Sequence, residues 1–203
     1  YSHYRTYYVP NNAVLAIAGD FETKPMLKRV RELFERIPKG PIPTRLARPE
    51  PQQKGELRFS VEGPGETTFI QLAYHFPNAT DPDYIPLQVL DSLLNGASGL
   101  SYKTSRLYRA LVDKGHAVDA SGWSEASIDP SLYRITITVH PNRQPEDAIA
   151  ALDGEIKKLQ DELVHNDEIK RAVKQARAVF AYGSENITHQ AFWMGYTAVF
   201  STY

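Results

Sequence analysis

Leu132-Tyr133-Arg134-Ile135-Thr136-Ile137-Thr138-Val139 sets Tyr133, Ile135, Ile137 and Val139 on one side of an extended chain and Arg134, Thr136 and Thr138 on the other. A period of two predicts a strand with one apolar and one wet face. A sheet with a wet face is antiparallel, because parallel sheets are covered on both sides. Working outward, residues ~117–124 read as a second strand, and Ile70, Leu72, Tyr74 and Phe76 repeat the alternation upstream. Leu57, Phe59 and Val61 do the same, with Gly63-Pro64-Gly65 supplying turn chemistry between the two runs. Asn12-Ala13-Val14-Leu15-Ala16-Ile17-Ala18-Gly19-Asp20 is a continuous apolar run closed by a turn pair, which predicts a strand buried on both faces.

Elsewhere the period lengthens to that of a helix. Leu27, Val30, Phe34 and Ile37 predict an amphipathic helix over ~24–36 ended by Pro38. Asp81-Pro82-Asp83 starts another, with Leu87, Leu90 and Leu94 on one face and Asn95-Gly96 as its stop. The small-residue loop Gly96-Ala97-Ser98-Gly99 leads to a short helix over 105–112 that ends before Gly115. In the last third, Ile149, Leu152, Ile156, Leu159 and Leu163 form one stripe, and Ile169, Val173, Ala176 and Phe180 a second, capped by Asn166-Asp167. A final helix starts near Ser184-Glu185. The expected fold is α+β: a mainly antiparallel or mixed sheet with helices on one face and a helical C-terminal third. The expected organisation is one module over 1–203, excised from a longer chain. It holds an initial β-α unit at 1–37, a Pro-rich connector at 38–54 and the main α+β body at 55–203.

With 203 residues, 42% of them hydrophobic, the chain has enough material to bury a core. Its 23 Lys+Arg against 24 Asp+Glu leave a net charge of −1, so no overall field recruits nucleic acid or an anionic membrane. No stretch reaches the length of a membrane span. The absence of cysteine removes disulfides, thiolate metal sites and thiol nucleophiles, so any metal would need His and carboxylate. The six histidines include no helical pair three or four residues apart. His165 with Glu168, and Glu185 with His189, each place an imidazole and a carboxylate on one helix face, short of the three or four ligands that zinc requires. Gly-x-Ser-x-Gly, Gly-x-Gly-x-x-Gly and a Gly-Lys-Ser/Thr phosphate loop are all missing.

Two segments in order carry a family likeness. Tyr7-Tyr8-Val9-Pro10-Asn11-Asn12-Ala13-Val14-Leu15-Ala16-Ile17-Ala18-Gly19-Asp20-Phe21 resembles a segment of the pitrilysin/insulinase-like zinc metallopeptidases, the group that includes mitochondrial processing peptidase. Leu93-Leu94-Asn95-Gly96, then Ser105-Arg106-Leu107-Tyr108-Arg109-Ala110-Leu111-Val112-Asp113-Lys114-Gly115, is similar to that family's "L-L-G-G … S-R-L-Y-x-x-L-V-E-x-G". The resemblance implies the second, non-catalytic module of a family half-unit, serving as a wall of the substrate chamber. The family's His-x-x-Glu-His zinc helix does not occur in this chain, so no catalytic or metal residue carries over, and zinc is expected in the parent only.

The resemblance further implies three partners: a preceding zinc-bearing domain, a peptide substrate, and a second subunit or half. The last would supply an Arg and a Tyr seven residues apart that hold substrate in many relatives. Anchored on Gly115 those positions fall at Leu111 and Val118, which do not match, and the alternative register, Arg109 with His116, keeps only the Arg. Ser105, Arg106, Tyr108, Arg109 and His116 are the candidates for facing substrate or an interface, although Ser105-Arg106-Leu107-Tyr108 also reads as a helix start with Arg106 held by carbonyls or a carboxylate. Two other readings are a scaffolding core-type subunit without peptidase activity and an unrelated α+β binding module. A bacterial periplasmic or secreted location is the expectation, with a mitochondrial one as the alternative.

Overall fold

The computed structural model describes residues 1–44, 50–97 and 103–200. Its helices are α1 (Ser2–Tyr7), α2 (Thr23–Phe34), α3 (Tyr84–Asn95), α4 (Pro145–Asp161), α5 (Asn166–Ser184) and α6 (Ile187–Phe200). Its strands are β1 (Phe69–Phe76), β2 (Ala117–Trp123) and β3 (Ser131–Val139), and Pro10–Asn12 and Tyr108–Val112 form a 3-10 turn and a π turn. They fall into two units, Tyr1–Pro64 with Ile187–Val199, and Gly65–Asn186 with Phe200. Among the described residues no helix is long and apolar enough to cross a membrane.

In the second unit the strands run antiparallel in the order β1-β3-β2. The cleanest alternation occupies the centre, where both neighbours profit from it. Ile70 and Leu72 stand opposite Ile137 and Ile135, and on the other flank Ala120 and Gly122 face the same two residues. All of these point to the inner face, and Tyr133, Ile135, Ile137 and Val139 are buried there. The outer face carries Arg134, Thr136 and Thr138, and the Arg134 guanidinium lies 5.0 Å from the ring centre of Trp123. Helices of this unit pack on the inner face: Leu94 of α3, Leu107 and Leu111 around the π turn, and Ala148 and Leu152 of α4 join Ile135 and Ile137 in one cluster. This is the α+β arrangement that the alternating strands predict.

Two stripe assignments and one cap change. Leu163 lies beyond the end of α4 and is fully exposed, because Glu162 turns to extended backbone after Asp161. On α5, Ile169, Val173, Ala176 and Phe180 are exposed, and the packed face is instead Glu168, Ala172, Gln175 and Val179. The small side chain of Ala172 admits a close approach of α5 to α3. An ion pair from Glu168, described below, fixes the rotation of the helix. Its cap is His165, whose Nδ1 accepts from the Asp167 N–H at 3.3 Å, and not Asn166-Asp167.

The first unit departs further from expectation. The run at 12–20 and the alternating Leu57, Phe59 and Val61 form no strand, and Val14, Leu15 and all three of the latter are exposed. Apolar pattern makes a segment compatible with a sheet, but a strand exists only where a neighbour takes its N–H and C=O groups, and neither run has one among the described residues. α2 forms as expected, yet Leu27 and Phe34 on its stripe stay half-exposed. Asn11 Oδ1 accepts the Gly40 N–H at 2.9 Å, and Asn12 Nδ2 donates to the Tyr7 carbonyl at 2.9 Å, so the asparagines of the first motif tie turns together. Gly40 is glycine by necessity, since a Cβ there would collide with the Val9 side chain. None of the described side chains of this unit is buried.

The two leucines of the α4 stripe separate these effects. Leu152→Ala is expected to cost about 3 kcal/mol through lost burial and a residual cavity, whereas Leu163→Ala is expected to change stability by less than about 0.5 kcal/mol. Urea denaturation followed by circular dichroism measures both.

Candidate functional site

The candidate residues from the second motif lie on one short element. Ser105 is buried, and its Oγ accepts from the Tyr108 N–H at 3.3 Å, so it acts as the cap that starts the turn. Past Leu107 the helix widens: the Asp113 N–H reaches the Tyr108 carbonyl at 3.0 Å and the His116 N–H reaches Leu111 at 2.8 Å, i to i+5 in both cases. Gly115 closes it at φ +69°, where other residues are strained.

Arg106 is turned inward. Its Nε donates to Glu168 Oε1 at 2.7 Å and a terminal nitrogen donates to Oε2 at 2.8 Å, a bidentate pair, while Glu155 of α4 stands 3.9 Å away. One guanidinium therefore joins the π-turn segment to α4 and α5. The hydrogen bonds to Glu168 raise the pKa of Arg106, and those from Arg106 hold the Glu168 carboxyl below its ordinary range. Tyr108 is half-buried, and Arg109 is exposed on the same turn, close enough that its charge also lowers Glu168. His116 is half-buried, and its Nδ1 is a buried atom without a hydrogen bond. Ser105, Arg106, Tyr108 and Arg109 are thus brought together, with His116 at the far end of the turn. Leu111 is wholly buried and Val118 is exposed on β2.

A second polar group gathers around the motif residue Asn95, with Asp91 and Tyr133 outside both motifs. Asn95, at the end of α3, accepts the Gly122 N–H on Oδ1 and donates from Nδ2 to the Gly122 carbonyl, both at 2.5 Å. The same Nδ2 lies 2.6 Å from Asp91 Oδ1 and 3.0 Å from the Tyr133 hydroxyl, which itself donates to Asp91 Oδ1 at 2.7 Å. Burial pushes the Asp91 carboxyl up against the pull of these two donors, and burial together with the Asp91 charge pushes the Tyr133 phenol well above its usual range. The available signal was the pair Asp91 and Asn95, four apart and beside the stripe Leu87, Leu90 and Leu94.

The described residues do not fit a zinc ion: no three His, Asp or Glu side chains among them converge on a common point. Of the helical pairs weighed above, Glu168 is occupied by Arg106 and His165 caps α5.

A family model described as the peptidase M16 inactive domain matches residues 1–176. The chain belongs to this family. The match agrees with the pitrilysin-like resemblance of the two motifs. No curated protein matches this inactive domain. A protease from Helicobacter pylori superposes with a TM-score of 0.85 at 22% identity, covering 98% of this chain and 48% of that one. A Bordetella pertussis protein assigned as a zinc protease gives 0.52 at 24% identity, covering 62% and 67%. A chain of complex III2 from Candida albicans gives 0.54 at 13% identity, covering 66% and 33%. At these identities the likeness is one of fold. The inactive domain spans about half the length of the Helicobacter pylori protease.

Glu168→Gln is expected to remove the bidentate pair and cost about 2 kcal/mol at neutral pH. Because the carboxyl binds its proton more weakly folded than unfolded, its contribution is complete above the ordinary Glu pKa and fades as pH falls through the lowered folded value. Stability of the native chain should therefore drop more steeply than that of the variant below about pH 4.5, as read from denaturation midpoints over a pH series.

Proposed function

We propose that this M16 inactive domain forms a wall of the substrate chamber of a zinc-dependent metalloendopeptidase whose metal lies in a preceding domain. The observation that carries the reading is how the conspicuous motif is used. Ser105 and Arg106 serve the fold, and what remains for a neighbour is Arg109, with the accessible parts of Tyr108 and His116. That composition suits contact with a peptide held by others: one exposed cation, a phenol and an imidazole, without a nucleophile–base pair or a metal. Leu111 belongs to the core and is unable to act as a substrate-holding Arg, so a second subunit or half supplies the Arg and Tyr pair.

A covering partner is also supported by the first unit. Val14, Leu15, Phe192 and Trp193 are exposed there, and no described side chain of the unit is buried. Such apolar exposure marks an interaction surface, here one for the preceding zinc-bearing domain. A second reading, a scaffolding subunit without peptidase activity, is favoured by the fold shared with a chain of complex III2.

Two measurements separate the readings. Elemental analysis of the purified 203-residue chain after dialysis against trace zinc is expected to find nearly none, and about one zinc per chain would overturn the assignment of the metal to a preceding domain. In the full-length parent, a photoreactive benzoylphenylalanine replaces Arg109 or, as a control, Leu163, and is irradiated with a casein-peptide mixture. Hydrolysis of the mixture by the unsubstituted parent, with cross-linking from position 109 and not from 163, is the expected result. Hydrolysis without cross-linking at 109 would remove the chamber role, and a parent that neither holds zinc nor hydrolyses peptides would establish the scaffold.

A further inference from the structure

In the second unit a half-open cavity of about 240 Å³ lies between α3 and α4 on the inner face of the sheet. Leu87 and Leu90 line it from α3, Ile156 and Leu159 from α4, and almost all of its wall is carbon. An apolar cavity of about 150 Å³ already accepts benzene, so this one has room for an aromatic ring and a short arm. Its apolar lining extends the core, but the helices leave this part of it unfilled.

One wall is chemically different. Asp91 and Tyr133 both reach the cavity. Both hydrogen bonds to Asp91, from the Tyr133 hydroxyl and from Asn95, fall on Oδ1, so the lone pairs of Oδ2 remain for another donor. Among the described residues no Lys or Arg forms an ion pair with Asp91, whereas Glu155 and Glu168, partly buried in the same unit, each have a cation beside them. The acceptor is also held in place: Tyr133 is pinned by Asp91 and Asn95, and Asn95 by both backbone groups of Gly122. A fixed carboxylate beside a carbon-lined space, lacking its counter-ion, is the complement of a molecule with an apolar body and one cationic donor.

We propose that this cavity binds a small hydrophobic amine, with its ring or branched alkyl group among the leucines and isoleucines and its ammonium on Asp91 Oδ2. The burial that raises the Asp91 pKa is the cost which such a cation offsets. The site uses neither the π turn nor any preceding domain, so it stands independently of the peptidase reading.

The test titrates the whole chain with 2-phenylethylamine, and with 2-phenylethanol as the uncharged molecule of the same shape, following amide shifts by NMR. The expected result is saturable one-to-one binding of the amine with shifts centred on α3 and α4, and affinity for the alcohol at least tenfold lower. Asp91→Asn should reduce the amine to the affinity of the alcohol, and Leu159→Trp, which fills the cavity with Asp91 intact, should abolish binding of both. Absence of saturable amine binding would overturn the proposal. So would equal affinity for amine and alcohol on the native chain, a comparison that does not depend on either variant folding, or amine binding unchanged by Leu159→Trp.

Discussion

The side-chain amide of Asn95 does for Gly122 what a neighbouring strand would do: it accepts the N–H and donates to the carbonyl of an edge-strand residue. The rest of the second unit is arranged around this contact. It fixes the end of α3 against β2, and through Tyr133 and Asp91 it ties the same helix to the central strand. The close approach has a steric condition. A Cβ on Gly122 would stand 2.7 Å from Asn95 Nδ2 and would also strike the Tyr133 phenol, so the motif asparagine, a tyrosine on β3 and a glycine on β2 are one choice and not three. Removing the amide would leave two backbone groups and a buried carboxyl short of partners, which is why such a group is costly to lose.

A second constraint runs through Arg106. Its guanidinium meets carboxylates from α4 and α5, and the bidentate geometry with Glu168 sets which face of α5 turns inward. This accounts for an inversion that hydrophobicity alone would not produce: Ala172 is covered while Phe180 is exposed. A planar fork that needs two parallel hydrogen bonds tolerates less rotation than apolar packing does.

These two contacts also mark the limit of what was legible beforehand. β1, β2, β3, α3 and α4 follow from periods contained within each segment, and the sheet with one wet face follows from Arg134, Thr136 and Thr138. The α5 face was misread because the information lies 62 residues away, at Arg106. The runs at 12–20 and 57–61 have the composition of strands, but composition carries no address for a pairing partner. At the candidate site, the Ser105–Gly115 motif announced itself by its order of residues. Asp91 and Tyr133 did not, since a polar residue beside an apolar stripe acquires meaning only when the opposite element is placed.

The π turn at Tyr108–Val112 has a consequence for how this segment is compared with others. Each i to i+5 step spends one residue more than an α turn, so every side chain beyond it is rotated by roughly a quarter of a circle relative to an uninterrupted helix. Arg109 lies within that widening and His116 beyond it, and their separation along the chain does not correspond to the direction that the same separation has on a regular helix. Two relatives that agree residue for residue here can point their side chains differently if one forms the i to i+5 turn and the other a regular α turn. Two that differ by a single-residue gap can present the same surface.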